Sequence, residues 1–260
     1  NHTANDTQAD GLTHSSIWCI VKDNQGTLWL GTYFGGVNYF NPEYEIYTRY
    51  SYSSNEKKRL SNPFVGRTIE DKDGNLWIGT EGGGLNYYNR RTREFKWYRP
   101  QEGRNSISHN NVKALYYDAD KEIIWIGTHL GGLNKLDIRS GHFTHYRMEE
   151  GNPNTLPSDI IRDIIPYKSL LIIATQNGVC LFDPANGQCQ QLFKDSKEGK
   201  SIKMVADVTF DSEGTLWIAA TGEGVFSYRF DTCKLTNYRH DATNPNSLSN
   251  NNVNNITQDS

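Results

Sequence analysis

The chain lacks the features of a membrane-spanning or strongly charged protein. No stretch approaches the roughly 18 consecutive apolar residues that a membrane helix needs, and the mean hydropathy is −0.71. Neither charge is in excess, with 27 Lys and Arg against 30 Asp and Glu in 260 residues. Because no global field would recruit nucleic acid or an anionic lipid surface, we expect no direct nucleic acid or membrane contact by this chain.

Cysteine is scarce and its spacing fits no metal site. The four cysteines are Cys19, Cys180, Cys189 and Cys233, and none forms a Cys-x-x-Cys pair. Cys180 and Cys189 flank a turn-like segment and would face each other across a hairpin, although free thiols are the favoured interpretation. The histidines show no metal-ligand spacing on a common face, so we predict no metal site, no cofactor and no catalytic residue.

Glycine and aromatic residues are abundant, with 23 Gly, 15 Tyr, 10 Phe and 6 Trp against 2 Met. This profile is typical of strands and turns, and it directs attention to internal repeats. A five-residue string of the type Leu-Trp-Ile-Gly-Thr occurs five times, at residues 28–32, 76–80, 124–128, 171–175 and 216–220. Its second positions are Trp29, Trp77, Trp125, Ile172 and Trp217, which we take as equivalent. Repetition this regular sets the fold.

Each string is flanked by turn residues that keep the same spacing. An Asp-rich or Asn-rich turn precedes it, as at residues 71–74, and a glycine such as Gly84 precedes the next short strand. Such turns close β-hairpins, so each unit is read as four short strands. Four antiparallel strands per unit of about 45 residues match a propeller blade. The repeated tryptophan would then fill the space between neighbouring blades.

We therefore predict an all-β fold, a partial β-propeller with about five four-stranded blades and the first strand of a sixth. The blades are placed near residues 16–50, 64–99, 111–147, 160–193 and 204–239, with a terminal strand near 252–258. Residues 1–12 are interpreted as the tail of a preceding lead-in. The fourth unit departs from the pattern at Ile172, and the fifth replaces Gly-Thr by Ala219-Ala220.

The repeat consists of a lead-in Leu-Ser-x-Asn-x-Val, then Asp-x-x-Gly-x-Leu-Trp-Ile-Gly-Thr, then Gly-Gly-Leu-Asn. Nearly the whole chain resembles the two-component regulator propeller repeats of the periplasmic sensor region of bacterial hybrid histidine kinases. The resemblance implies a non-enzymatic, extracytoplasmic part of an inner-membrane protein, whose full-length form would be a histidine kinase. It also implies that the protein senses glycan breakdown products and controls polysaccharide-utilisation genes.

The connections between the second and third strands of a blade emerge at the same end as the lead-ins to the next first strand. The residues that vary at this end are aromatic, amide and charged, which suits a sugar whose hydroxyls need polar partners and whose C–H faces pack on rings. We predict an oligosaccharide-binding site formed from Tyr33, Phe34, Arg67, Glu81, His109, His129, Arg162, Gln176 and Glu223.

Two other functions remain open. The stretch from Asp73 to Trp77 also looks like the Asp-box of sialidases and related propeller glycosidases, which keeps a propeller glycosidase or lyase as an alternative. A scaffold that binds a protein partner is the other. Uncovered blade faces would invite self-association, so we expect a homodimer.

Overall fold

The computed structural model describes residues 12–41, 46–50, 55–196 and 198–259, with the backbone only at residues 46, 47 and 49. These residues form twenty strands in five sheets of four, and each sheet is an antiparallel meander of consecutive strands. The fold is a β-propeller with five four-stranded blades, as the sequence predicted. The predicted lead-in at residues 1–12 lies, except for Leu12, outside the described residues.

The strands of each blade are numbered in chain order from the first strand to the fourth. In the first three blades they are β1 Ile17–Lys22, β2 Leu28–Thr32, β3 Val37–Asn41, β4 Ile46–Tyr50, β5 Val65–Glu70, β6 Leu76–Thr80, β7 Gly84–Asn89, β8 Glu94–Tyr98, β9 Val112–Asp118, β10 Ile123–Thr128, β11 Leu133–Asp137 and β12 Phe143–Tyr146. In the last two they are β13 Ile161–Tyr167, β14 Leu170–Thr175, β15 Gly178–Phe182, β16 Cys189–Gln191, β17 Val205–Phe210, β18 Leu216–Ala220, β19 Gly224–Arg229 and β20 Lys234–Tyr238.

The chain divides into two compact units. The first comprises residues 1–129 and 134–145, and the second comprises residues 130–133 and 146–260. Short 3-10 turns at Glu56–Lys58 and Gly199–Ser201 are the only helical segments in the described ranges. Neither is long or apolar enough to cross a membrane.

The aspartate turn between the first and second strands is fixed by one carboxylate. In the first blade, Asp23 Oδ1 accepts the backbone N–H groups of Gln25 and Thr27, both at 2.9 Å. Its Oδ2 accepts the indole N–H of Trp29 at 2.8 Å. The second and fifth blades repeat the indole bond, from Trp77 to Asp71 at 3.1 Å and from Trp217 to Asp211 at 2.8 Å. The repeated Asp and Trp are therefore one structural device.

Close packing between neighbouring blades explains the glycine of the Trp-x-Gly-Thr string. A Cβ added to Gly31 would lie 2.7 Å from Val65 Cγ1, and one added to Gly79 would lie 2.6 Å from Val112 Cγ1. Val65 and Val112 are each the first residue of the next blade's first strand, and both are buried. The first strand of one blade thus sits against the second strand of the blade before it.

The segment that follows the fifth blade was predicted to contain a terminal strand near residues 252–258. The structure assigns no strand to residues 239–259, because no second strand pairs with this segment. Its position nevertheless follows the repeat. Ile256 N–H donates to Asp207 Oδ2 at 2.8 Å, just as Val208 N–H in the fifth blade donates to Asp163 Oδ2 in the fourth at 3.5 Å. The segment therefore lies where the first strand of a further blade would lie.

Candidate functional site

The lead-in of each blade in the first unit is held by a buried asparagine. Asn86 Oδ1 accepts the backbone N–H of Ser61 at 2.8 Å, and its Nδ2 donates to Ser61 Oγ at 2.8 Å. The pairs Asn38 with Thr13 and Asn134 with Ser108 are identical in kind. The asparagine of Gly-Gly-Leu-Asn and the Ser of the lead-in are thus bonded partners. This clamp fixes the end of the blade at which we predicted the ligand site.

Backbone bonds connect the loop after the second strand to the lead-in of the same blade. Glu81 N–H donates to Phe64 O at 2.9 Å, and Tyr33 N–H donates to Ser16 O at 3.0 Å. In the second unit, Gln176 N–H donates to Ile160 O at 3.0 Å. These bonds confirm that the two kinds of loop lie at the same end of a blade, which we call the loop end.

A β-bulge lies at the loop end of every first strand. The register shifts between Ile17 and Cys19 in β1, and equivalent shifts occur in β5, β9, β13 and β17. An extra residue in one strand re-aims a side chain away from the regular alternation. The residues at these bulges are Trp18, Gly66 with Arg67, Lys113, Arg162 and Ala206. Arg67 and Arg162 of the predicted site therefore lie at the loop end because each is a bulge residue of its first strand.

An exposed aromatic cluster occupies the loop end of the first blade. Trp18 is 61% exposed, Phe34 58% and Tyr33 47%. Trp18 stacks on Tyr33 with the ring centroids 5.8 Å apart, and Phe64 makes edge contacts with Tyr33 at 5.3 Å and with Phe34 at 4.8 Å. We call Trp18, Tyr33, Phe34 and Phe64 the aromatic surface. Tyr33 and Phe34 belong to the predicted site, whereas Trp18 and Phe64 were not predicted.

Glu81 and the two histidines of the predicted site do not belong to the aromatic surface; they form an ion pair and hydrogen bonds with neighbouring residues. Glu81 forms an ion pair with Lys113 across two blades. His109 Nδ1 accepts the N–H of Asn111 at 3.0 Å, and His129 N–H donates to Asn111 O at 2.9 Å. His109 and His129 thus meet at one asparagine. These contacts make Glu81 and the two histidines part of the loop framework of the first unit.

The second unit carries the remaining predicted residues. Glu223 forms an ion pair with Arg239. Gln176 is half-buried, and its carbonyl accepts Met204 N–H at 2.8 Å. Arg162 lies at the bulge of β13 and is half-buried. The structure brings Tyr33 and Phe34 into one cluster and His109 and His129 into another. Of the other predicted residues, Arg67 and Glu81 lie in the second blade, Arg162 and Gln176 in the fourth, and Glu223 in the fifth.

Trp18 and Phe64 were not predicted because the strand pattern of the sequence does not indicate that they lie at the loop end. Trp18 falls inside a first strand, where regular alternation would not mark it as a loop-end residue, and Phe64 follows Pro63 directly before β5. The bulge at the same point of all five first strands reveals Trp18 only once the strand pairing is known.

The described residues bear on metal binding and on the Asp-box-like stretch. No group of three or more His, Cys, Asp or Glu side chains in the described ranges could hold a metal ion. The Asp-box-like stretch is a structural turn, since Asp71 Oδ1 accepts the N–H groups of Asp73 and Asn75 at 3.0 and 2.9 Å. The loop end presents aromatic rings, amides and charged side chains.

Three segments, residues 11–34, 59–82 and 106–129, match the family model described as two component regulator propeller. Each runs from a lead-in to the loop after the second strand. These three segments therefore carry the two-component regulator propeller repeat that the sequence predicted. No curated protein matches the chain significantly.

Solved structures with the same fold include two extracellular domains from B. thetaiotaomicron. One belongs to a putative hybrid two-component system, with 23% identity, a TM-score of 0.74, and coverage of 95% of this chain and 38% of that one. The other belongs to a putative one-component system, with 23% identity, a TM-score of 0.72, and coverage of 87% and 31%. The chain thus spans about a third of the length of these domains.

A third similar structure is virginiamycin B lyase from Staphylococcus aureus. It is 14% identical, with a TM-score of 0.63 and coverage of 89% of this chain and 71% of that one. At this identity the likeness concerns the fold alone.

Proposed function

We propose that this chain is part of the extracytoplasmic, periplasmic sensor region of a two-component signalling protein, and that it binds an oligosaccharide. The repeats and the fold of the similar extracellular domains support the sensor role. The full-length protein would then be a histidine kinase that controls polysaccharide-utilisation genes, and this part of it would have no enzymatic activity.

The aromatic surface is the observation that carries the binding proposal. Three large aromatic rings are exposed side by side at one loop end, and soluble monomers rarely expose so much contiguous apolar area. The C–H faces of pyranose rings pack on aromatic faces, while backbone and amide groups of the surrounding loops serve their hydroxyls. Since Glu81 of the same unit is engaged in an ion pair with Lys113, the aromatic surface suits a neutral sugar better than a charged one.

A sensor needs a ligand that favours one of two arrangements. An oligosaccharide that binds one arrangement more tightly shifts the population by its differential affinity and by no more. In this proposal the clamps and backbone bonds at the loop end couple the aromatic surface to the packing of neighbouring blades.

The test is a thermal-shift screen with hexasaccharides of α-glucan, β-glucan, xylan and mannan, and with one uronate-containing hexasaccharide. A ligand at 100 times its Kd adds about 2.7 kcal/mol and raises the Tm by roughly 5–10 °C. We expect such a shift with at least one neutral hexasaccharide, and its loss in Trp18→Ala. Met148→Ala, a change at an exposed apolar residue of the second unit, is the matched control and should keep the shift.

Reducing-end release from the same samples distinguishes the alternatives. A Tm shift without new reducing ends supports the sensor, whereas turnover would support the propeller glycosidase or lyase. A shift that survives Trp18→Ala would place the ligand elsewhere. The absence of any shift would favour a scaffold that binds a protein partner.

A further inference from the structure

Two buried cysteines lie side by side in the fourth blade. Cys180 is on β15 and Cys189 on β16, and these strands pair antiparallel with Cys180 opposite Gln191 and Cys189 opposite Phe182. The two cysteines are therefore diagonal neighbours on the same face of the sheet. Their Sγ atoms are 3.4 Å apart, and both side chains are buried.

We propose that Cys180 and Cys189 form an intrachain disulfide when the protein folds in an oxidising compartment. A disulfide needs the sulfurs about 2.05 Å apart, so together they must approach by roughly 1.4 Å. The change is local, because β16 has only three residues and lies at the edge of its sheet. An edge strand this short adjusts at low cost.

The fourth blade lacks both residues of a hydrogen bond that other blades have. The first, second and fifth blades carry the bond between the turn aspartate and the tryptophan indole. The fourth has Ile172 at the tryptophan position, and its turn contains no aspartate. It also has the shortest fourth strand of the five. A disulfide between β15 and β16 would tie this strand to its neighbour.

The chemistry is thiol–disulfide exchange with an external disulfide. One cysteine thiolate attacks the oxidant and releases a first thiol, leaving a mixed disulfide; the second thiolate then attacks the protein sulfur and releases a second thiol. Two protein thiols are oxidised, one disulfide is reduced to two thiols, and the chain loses two hydrogen atoms. Burial raises the pKa of the Cys180 thiol, so we expect the exchange during folding, before the thiols are enclosed.

The test refolds the full chain with a mixture of oxidised and reduced glutathione and then alkylates it in denaturant without reduction. Trypsin yields one peptide, residues 169–194, that contains both cysteines and no other. We expect this peptide to be unalkylated and about 2 Da lighter than its reduced form. Cleavage before Asp183 should leave its two halves joined until a reductant is added. Cys19 and Cys233 should be alkylated.

Variants separate this proposal from any effect of ligand binding, on which it does not depend. The double variant Cys19→Ser/Cys233→Ser should still form the link, whereas Cys189→Ser should leave Cys180 alkylated. Reduction should lower the Tm of the wild type by several degrees and leave the Tm of Cys180→Ala/Cys189→Ala unchanged. Complete alkylation of peptide 169–194 after oxidative refolding, or a link to Cys19 or Cys233, would overturn the proposal.

Discussion

At the scale of single residues, the repeated aspartate fixes the turn between the first and second strands of a blade. Asp23 has no exposed side-chain surface, and Arg90 Nη2 lies 2.7 Å from its Oδ2. The carboxylate thus receives the turn amides, the indole and a guanidinium from the next blade. A buried carboxylate is tolerated only with such partners, so the strength of the turn depends on the tryptophan that completes the set.

Trp29→Phe should lower the free energy of unfolding by about 1.5–3 kcal/mol, because it removes a donor to a buried carboxylate. Urea unfolding measures the change. Trp18→Phe is the control, since Trp18 is largely exposed, and it should stay within about 0.5 kcal/mol of wild type. Equal effects of the two substitutions would show that the indole bond does not stabilise the turn.

The same carboxylates predict how stability depends on pH. The indole hydrogen bond from Trp217, together with the turn amides, holds the pKa of Asp211 below its ordinary value despite the opposing effect of burial. A carboxyl whose pKa is lowered on folding adds stability above its unfolded pKa of about 3.9, and this is lost as the pH falls through the folded pKa.

Asp211→Asn should therefore destabilise the protein at pH 7, and the difference from wild type should shrink as the pH falls below about 4. Tm values at pH 7, 5, 4 and 3 measure it. Asp195→Asn, at an exposed position, should show no such trend. A difference that stays constant down to pH 3 would contradict this account.

At the scale of the elements, the glycine that begins the third strand of the second and fifth blades is tightly constrained. Gly84 begins β7 with φ +80°, and a Cβ there would clash with the carbonyl oxygen of Tyr98 on β8. Gly224 has φ +84° and the same relation to Tyr238. Only glycine combines this backbone conformation with so close a neighbouring strand.

Gly84→Ala should cost at least about 2 kcal/mol, because a strained backbone and a steric clash add. Gly103→Ala is the matched control: Gly103 has φ +68° but open space around its Cβ position, so only the backbone cost of about 1 kcal/mol remains. Denaturant unfolding of both variants compares them. Equal losses of unfolding free energy in the two variants would show that the close contact with β8 does not contribute to the cost of Gly84→Ala.

Sequence reasoning identified the repeated strands because their signals are local. The Trp-x-Gly-Thr string, the aspartate turn and the glycine before the third strand are each recognised within one unit of the repeat, although Gly31 and Gly79 also allow the close packing of neighbouring blades. The bond between Asn86 and Ser61, by contrast, joins residues 25 apart, and no local pattern indicates it. Trp18 was missed for a related reason, since a bulge depends on the pairing of two strands and not on the sequence of one.

At the scale of the whole molecule, the first strand of the first blade exposes two isoleucines in the described part of the chain. Ile17 is 39% exposed and Ile20 60%. The equivalent residues in the later blades, Val65, Thr68, Val112, Leu115, Ile161, Ile164, Val205 and Val208, are all buried. We propose that a second copy of the chain covers Ile17 and Ile20 when the protein is concentrated, which is the homodimer that the sequence led us to expect.

Ile17→Ser/Ile20→Ser should then weaken self-association at least tenfold, because two apolar side chains leave the contact. Sedimentation equilibrium over a wide concentration range measures the dissociation constant. Met204→Ser alters an exposed apolar residue of the second unit and should leave that constant unchanged. A wild-type chain that remains monomeric at all concentrations would contradict the proposal.

In the proposed function, the aromatic surface binds an oligosaccharide. The most direct measurement is ¹⁹F NMR of protein labelled with 5-fluorotryptophan, which gives one resonance for each of the six tryptophans, with Trp18 assigned by Trp18→Phe. A hexasaccharide that raises the Tm should shift the Trp18 resonance in a saturable way and leave that of buried Trp77 in place. A Tm increase with the Trp18 resonance unmoved would contradict the account.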